Sequence, residues 1–495
     1  MSKCDVGLIG LAVMGQNLAL NIESKGYSVA VYNRTGARTD EFINGTGKDK
    51  KIKATYTLSE LISSLKSPRK IIIMIKAGKA VDDNINELVA LLDKGDLIID
   101  GGNSFFKDTI RRDEELTKKD IFFIGTGISG GEEGALKGPA IMPGGQKEAY
   151  NMVKDIFEDI SGKAEDNTPC VSYIGPNGAG HFVKMIHNGI EYGDMELIGE
   201  TVWALKNALD LNAEEIADIM VTWNDKNNVL SSYLIEITGR GMRKIDKDSK
   251  LFLVDRIADI TRMKGTGTWT VQSALELLVP IPTITSAVFS REMSQDKDLR
   301  LVMAEKLKWK NEKYNGKKDD LIDIVHDALY ISKISSYAQG FALLKAASKK
   351  YNFNLNMGNI SKGWRAGCII RAQFLNEISE EFDKNPELVN LLYSTKFSSF
   401  IEKNIDKLAK FITIAHQSGI PVPAFDSAYN YIVEMSSPVM VSAQVTAIQR
   451  DFFGAHGYFK LQKDSYELIK KEDGSLKEYH TEWMVPGHPE IKVEK

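Results

Sequence analysis

Short apolar, β-branched runs recur between residues 4 and 175, separated by helical patterns and by Gly or Asp turns, and this alternation constrains the fold more than any other feature of the chain. The runs are 4–10 (CDVGLIG), 27–33 (YSVAVYN), 70–76 (KIIIMIK), 96–100 (DLIID) and 121–129 (IFFIGTGIS), with 170–175 (CVSYIG) read as a last strand. Strands that are apolar almost throughout must bury both faces, which requires a parallel sheet covered by helices on either side. After residue 178 the apolar period changes to that of a helix, with long helices expected over 180–208, 212–239, 318–349 and 373–383. The stretch after 435 is charged and punctuated by Gly and Pro, a tail that buries little by itself. At 495 residues the chain exceeds one compact core. The expected division is an α/β domain over 1–178, an all-helical domain over 179–435 and a C-terminal tail over 436–495.

Composition excludes several classes of function. A net charge of −4, with no basic run, leaves no footprint for nucleic acid. No apolar stretch reaches the roughly 18–20 residues of a membrane span. The first strand begins within a few residues of the N-terminus, which leaves no room for a leader, so a cytoplasmic location is expected. Cys4, Cys170 and Cys368 are widely spaced and odd in number; they read as reduced structural thiols. Seven histidines include no HExxH pair and the acids no clustered metal motif, so metal-free chemistry is expected.

The segment GLIGLAVMGQN (7–17) joins the first strand to the first helix and spaces Gly10, Ala12 and Gly15 as a dinucleotide fingerprint does, with Ala in place of the middle glycine. Glycines there permit a tight turn and close helix–strand packing, and the helix N-terminus accepts a pyrophosphate. Strand, turn and helix stand in the required order, so 1–178 is read as a Rossmann-like doubly wound sheet. The second strand ends in Asn33, Arg34 and Thr35, with Arg38 nearby and no acid to hold a ribose 2′-hydroxyl. A guanidinium binds a 2′-phosphate that a carboxylate would repel, which favours NADP over NAD; an arginine merely exposed in a turn is the alternative. Strand ends at 75–78 (IKAG), 100–104 (DGGNS) and 127–134 (GISGGEEG) supply further polar or glycine-rich corners, each readable as a simple turn.

Helix 180–200 carries its polarity unusually. Lys184, His187, Asn188, Glu191 and Tyr192 share one stripe, while Phe182, Ile186, Gly189, Ile190, Gly193 and Leu197 form the apolar one. A solvated face is the ordinary explanation, yet His, Asn and Tyr are mediocre helix formers with directional groups. Two back-face glycines suggest that another backbone comes close.

Together GLAVMGQN, NRT, GISGGEEGA…GPAIMPGG, GAGHFVKMIHNGIEYGDMELIGE, KGTG and IQRDFFGAHGY resemble the 6-phosphogluconate dehydrogenases, the decarboxylating enzymes of the pentose phosphate pathway, over residues 3–485. The resemblance implies oxidative decarboxylation of 6-phosphogluconate with NADP. It implies Lys184 as general base and Glu191 as general acid. It implies cofactor contacts from Gly10, Leu11, Ala12, Val13, Met14, Gly15, Asn33, Arg34, Thr35, Ile75, Lys76, Ala77 and Asn103. The substrate would meet Asn103, Ser129, Gly130, Gly131, His187, Asn188 and Tyr192. Its phosphate would be gripped chiefly by Lys264, Thr266, Arg291, Arg450 and His456. Members are homodimers whose tails reach the partner, so shared active sites are implied. Departures from the family pattern are Met263 and Thr268, where glutamine and lysine are common, and Glu482 in an asparagine position near the cofactor. Two rival readings are a β-hydroxyacid dehydrogenase acting on a small unphosphorylated acid, and a catalytically silent NADP-binding structural or sensor protein.

Overall fold

The computed structural model describes residues 3–308 and 311–493. Seven strands form the N-terminal sheet: β1 (Val6–Ile9), β2 (Val29–Tyr32), β3 (Ile52–Thr55), β4 (Lys70–Ile73), β5 (Leu97–Asp100), β6 (Phe122–Ser129) and β7 (Ala140–Gly145). Their order is β3-β2-β1-β4-β5-β6-β7, parallel throughout except for the antiparallel pair β6–β7. Alternate residues along each strand enter opposite cores. Leu8, Val31, Ile72, Ile99 and Ile124 pack with Leu18, Ile22 and Phe157 on one face. Ile9, Ala30, Ile71, Ile98 and Phe123 pack with Leu61, Val81, Leu88 and Leu116 on the other. The chain reverses its direction across the sheet between β1 and β4, the position where open α/β sheets hold ligands beyond the strand ends.

The expected strand at 170–175 does not form as a regular strand. It meets β7 through isolated bridges at Val171 and Gly175, with the Ile174 N–H donating to the Pro143 carbonyl. The N–H groups of Ile141 and Gly145 donate to Cys170 and Gly175, but Pro143 between them has no N–H to continue the ladder. Two strands escaped the reading. β3 is half-polar (IKAT), and the sequence of β7, AIMPGG, resembles a turn.

Helix Ala179–Ala208, the site helix, lies directly on β6 and β7. A Cβ at Gly180 would stand 2.6 Å from the Gly144 nitrogen, and one at Gly127 would overlap the Lys184 stem. Backbone closeness therefore falls at Gly180; Gly189 and Gly193 accommodate the side chains of Thr270 and Ser336 instead. The expected helix 212–239 is two helices, Ala213–Trp223 and Tyr233–Met242. Between them the Asn224 side chain accepts from the Ser232 N–H and that of Asn228 from Leu230, local bonds that compete with the helix. Helix Lys318–Tyr351, buried along most of its length, packs against the site helix and against helix Thr395–Gln417. Among the described residues no helix is long and apolar enough to cross a membrane.

Contacts divide the chain into two compact units, one ending at Tyr429 and one beginning at Asn430. The change of architecture near residue 178 thus lies within the first unit. The second contains helix Val441–Gly454 and a small antiparallel sheet of β8 (Tyr458–Phe459), β9 (Glu478–Thr481) and β10 (Glu490–Lys492). Its organising group is Asp451, fully buried, which accepts from the Gly457 and Thr481 N–H groups, the Trp483 indole and the His480 ring. Burial alone would raise this carboxyl, but those donors hold it below the usual carboxylate range. Asp451→Ala should destabilise this unit by about 2–4 kcal/mol, because it strands several donors of one network. Hydrogen exchange should then accelerate over 455–485 while β1–β7 keep their protection.

Candidate functional site

The fingerprint loop is shaped by contact. Gly10 has φ +100°, and a Cβ there would lie 2.5 Å from the Met74 carbonyl oxygen. Ala12 caps helix Val13–Ser24 without a side-chain bond, so no capping group occupies its first N–H groups. The Leu11 N–H donates to Asn33 Oδ1 at 3.1 Å, and Asn33 Nδ2 donates to the Thr35 carbonyl at 3.1 Å, tying the fingerprint loop to the end of β2. Beside this tie lies a cleft of about 460 Å³ lined by Gly10, Asn33, Arg34, Thr35, Arg38, Ile75 and Lys76, with Asn84 and Glu87 on the far wall. Ala77 adjoins it in sequence, Val13 is exposed, and Met14 packs on the core beneath.

Buried Arg112, which the sequence did not single out, fixes the neighbouring loops. Its guanidinium donates to Gly78 O at 3.1 Å, Asp82 Oδ1 at 2.8 Å and Asp100 Oδ2 at 3.3 Å. Asp100 also accepts from Ser104 Oγ at 2.7 Å and the Gly102 N–H at 3.1 Å, leaving Asn103 exposed at the tip of that loop. His181, one turn before Lys184, reaches the same region through Thr109 Oγ1 at 2.7 Å.

The polar stripe of the site helix is enclosed. Lys184, His187 and Tyr192 are buried, and Asn188 and Glu191 are half-buried. Lys184 Nζ lies 3.3 Å from His187 Nδ1, which also meets Asn188 Oδ1 at 3.0 Å and Glu191 Oε2 at 3.8 Å. His187 Nε2 meets Ser129 Oγ at 3.1 Å and Cys368 Sγ at 2.8 Å. Gly130 (φ +118°) and Gly131 (φ +60°) follow Ser129 in left-handed backbone. Asn188 Nδ2 donates to Thr266 Oγ1 at 3.2 Å, joining the site helix to the start of helix Thr266–Glu276. The Arg291 guanidinium stacks 3.4 Å from the Tyr192 ring centre.

Burial disfavours the charged form of every titratable group here. It lowers the Lys184 amine, an effect opposed by Glu191, and raises the Glu191 carboxyl, opposed by Lys184 and Arg291. His187 is held well below its ordinary value, first by burial and then by Lys184, so its ring is neutral. A buried amine whose charge is disfavoured and a half-buried carboxyl whose ionisation is disfavoured, two helical turns apart on one face, suit taking a proton from one carbon's substituent and delivering one to another.

Of the other expected substrate contacts, Lys264 is exposed on the loop before Gly265. Met263 packs against the Tyr192, Ala287 and Val288 cluster, and Thr268 is half-buried. Arg450 and His456 belong to the second unit, exposed on its helix and just past that helix's end; Glu482 is half-buried in the same unit. Cys368 is the principal residue the reading missed. Its only signal was a small-residue context (RAGCII), and 181 positions separate it from the histidine it meets.

Two family models cover the chain: the NAD binding domain of 6-phosphogluconate dehydrogenase over residues 5–175 and the C-terminal domain of 6-phosphogluconate dehydrogenase over 180–483. The chain belongs to the 6-phosphogluconate dehydrogenase family. It is 50% identical over 485 residues to the NADP(+)-dependent, decarboxylating 6-phosphogluconate dehydrogenase of Bacillus subtilis, covering 98% of this chain and 100% of that one. It is 49% identical over 484 residues to the decarboxylating 6-phosphogluconate dehydrogenase of Escherichia coli, with the same coverage. The solved 6-phosphogluconate dehydrogenase of Plasmodium falciparum, described as apo, with its cofactor NADP+ and with its substrate 6-phosphogluconate, superposes with a TM-score of 0.89 at 41% identity, over 97% of this chain and 100% of that one.

Because a methyl at Gly127 would collide with the Lys184 stem, Gly127→Ala should cost about 1–3 kcal/mol of stability. Denaturant unfolding measures this, and an unchanged midpoint would mean that the helix can lift from the sheet without strain.

Proposed function

We propose that this chain catalyses the oxidative decarboxylation of 6-phospho-D-gluconate to D-ribulose 5-phosphate and CO2 with reduction of NADP to NADPH. The observation that supports it most is the placement of buried Lys184 and half-buried Glu191 on one helix face, each with its charged form disfavoured. Arg34 and Thr35, with Arg38, suit a 2′-phosphate in the cleft beyond β2, and the N-terminus of helix Val13–Ser24, which has no side-chain cap, suits a pyrophosphate. Bound NADP supplies the hydride acceptor.

The neutral Lys184 amine takes the proton of the C3 hydroxyl as hydride leaves C3, which yields a β-keto acid. The resulting Lys184 ammonium polarises the new ketone; the C1–C2 bond breaks, CO2 departs and its electron pair enters an enediol. Glu191 protonates the carbon that lost the carboxylate, C1 of the pentulose product. Asn103, Ser129, Gly130, Gly131, His187, Asn188 and Tyr192 orient the sugar acid, while Lys264, Thr266 and Arg291 take its phosphate. Release of CO2 and NADPH from 6-phosphogluconate tests the assignment directly. Turnover of short hydroxy acids without a phosphate would favour the rival dehydrogenase reading instead.

The reaction requires Lys184 unprotonated and Glu191 protonated. kcat/KM should therefore fall toward acid as Lys184 gains its proton and toward alkali as Glu191 loses its own. Lys184→Ala should abolish hydride transfer and CO2 release together, by about 10²–10⁴-fold. Glu191→Ala should flatten the alkaline limb and slow tritium entry at C1 of the product. Tritium entry at the normal rate would remove the acid role from Glu191.

The active form in this reading is a cytoplasmic homodimer in which Arg450 and His456 complete the partner's phosphate grip. In support, Val441, Val445, Ile448 and Phe452 form an exposed apolar stripe on helix Val441–Gly454, at spacings that keep one face. Mixing Lys184→Ala with Arg450→Ala, each inactive alone, should then create dimers with one intact site. Activity should approach about a quarter of wild type after random reassortment. Mixed dimers without recovered activity would mean that each tail serves its own subunit.

A further inference from the structure

The proposed chemistry leaves Cys368 without a part, although the fold delivers it to the centre of the site with care. Its loop, 365–371, is pinned on both sides. The Gly367 carbonyl accepts from the Ala140 N–H at 2.7 Å at the start of β7, and the Ile370 carbonyl accepts from the Tyr337 hydroxyl at 3.0 Å. Tyr337 is itself held against the buried pair Lys333–Asp194, whose Nζ–Oδ2 distance is 2.7 Å. Gly367 has φ +62°, and a side chain there would strike the Gly138 carbonyl, so the loop has one path. Fully buried Trp364 stands edge-on to the His187 ring at 5.7 Å and closes the remaining side.

His187 consequently stands between two sets of partners. Cys368 Sγ and Ser129 Oγ share Nε2, and Lys184 Nζ, Asn188 Oδ1 and Glu191 Oε2 face Nδ1. Asn188 Oδ1 can only accept, so Nδ1 carries the single proton of the neutral ring and Nε2 is a bare acceptor. Its partner must therefore donate. A thiol does so weakly, a hydroxyl does so well, and an apolar side chain does not. Burial pushes the Cys368 thiol up to about 12, so the proton it would donate is present throughout the working range.

We infer that Cys368 is a positioning residue for the proposed reaction: with Ser129 it holds His187 so that Nδ1 faces Lys184, and it donates to the bare Nε2. This rests on the reading given under Proposed function. Outside partners of this kind commonly set the orientation of a working histidine.

Wild type, Cys368→Ala and Cys368→Ser separate this role from simple packing. Two readouts serve: steady-state kinetics with 6-phosphogluconate and NADP, and 15N spectra of imidazole-labelled protein without substrate. The chain has seven histidines, and a His187→Asn difference spectrum assigns the ring. Cys368→Ala should lower kcat by about tenfold while KM for 6-phosphogluconate stays within about threefold, and Cys368→Ser should recover most of kcat. The His187 nitrogens should change their protonation pattern in the alanine variant and keep it in the serine variant. Wild-type kcat and spectrum in Cys368→Ala would overturn the role, as would equal impairment of both variants with an unchanged His187 spectrum. If the alanine variant does not fold, Cys368→Val set against Cys368→Ser makes the same comparison. Wild-type protein that fails to turn over 6-phosphogluconate would defeat the proposed function instead, and the substrate-free spectra would still decide whether Cys368 governs the ring.

Discussion

The site depends on one close approach, that of the site helix to the backbone of β6 and β7. Gly180 on the helix and Gly127 and Gly144 on the strands leave no room for a Cβ between them. That contact removes water from around Lys184, and removal of water is the first cause of the lowered amine, the raised Glu191 carboxyl and the neutral His187 ring. A larger residue at these glycines would lift the helix, readmit water and return the lysine toward an ordinary ammonium. The chemistry attributed to the helix face is thus a consequence of how closely that same face, from Gly180 to Lys184, packs on the sheet.

Two buried charged groups frame this arrangement. Arg112 binds the loops after β4 and β5 to one another through Gly78, Asp82 and Asp100, and so steadies the loop that follows Ile75 and Lys76 of the cleft beside the fingerprint turn. Lys333 meets Asp194 one turn beyond Glu191 and, through Tyr337, reaches the loop that carries Cys368. Ion pairs this deeply buried contribute little net stability, because the cost of desolvating them offsets their attraction. Their geometry is specific, however: Lys333 reaches Asp194 across 139 residues, and Arg112 reaches Asp82 across 30. The effect is to hold loops whose own residues could adopt several paths.

Much of this was legible from the residues in order. The β1–β2 and β4–β6 runs were readable because strands buried on both faces are apolar throughout. The fingerprint was readable because its strand, turn and helix are contiguous. Lys184, His187, Asn188, Glu191 and Tyr192 could be placed on one face because helical spacing is a local property. Where local chemistry pointed elsewhere, the pattern was misleading: Pro143 and its glycines made β7 look like a turn, and the asparagines at 224 and 228 interrupted a helix whose apolar period continued past them.

The sequence by itself determined the opening alternation of strand and helix, the fingerprint turn and the polar stripe of the site helix, all of which follow from backbone geometry over a few residues. It left open whether that stripe faces water. Only the tertiary structure decided this, by laying the helix on Gly127 and Gly144, 53 and 36 residues before Gly180, and closing it with Thr266, Arg291 and Cys368 from three later segments. Burial is a property of what arrives from elsewhere in the chain, so neither a shifted ionisation nor a cysteine beside a histidine can be read from spacing alone.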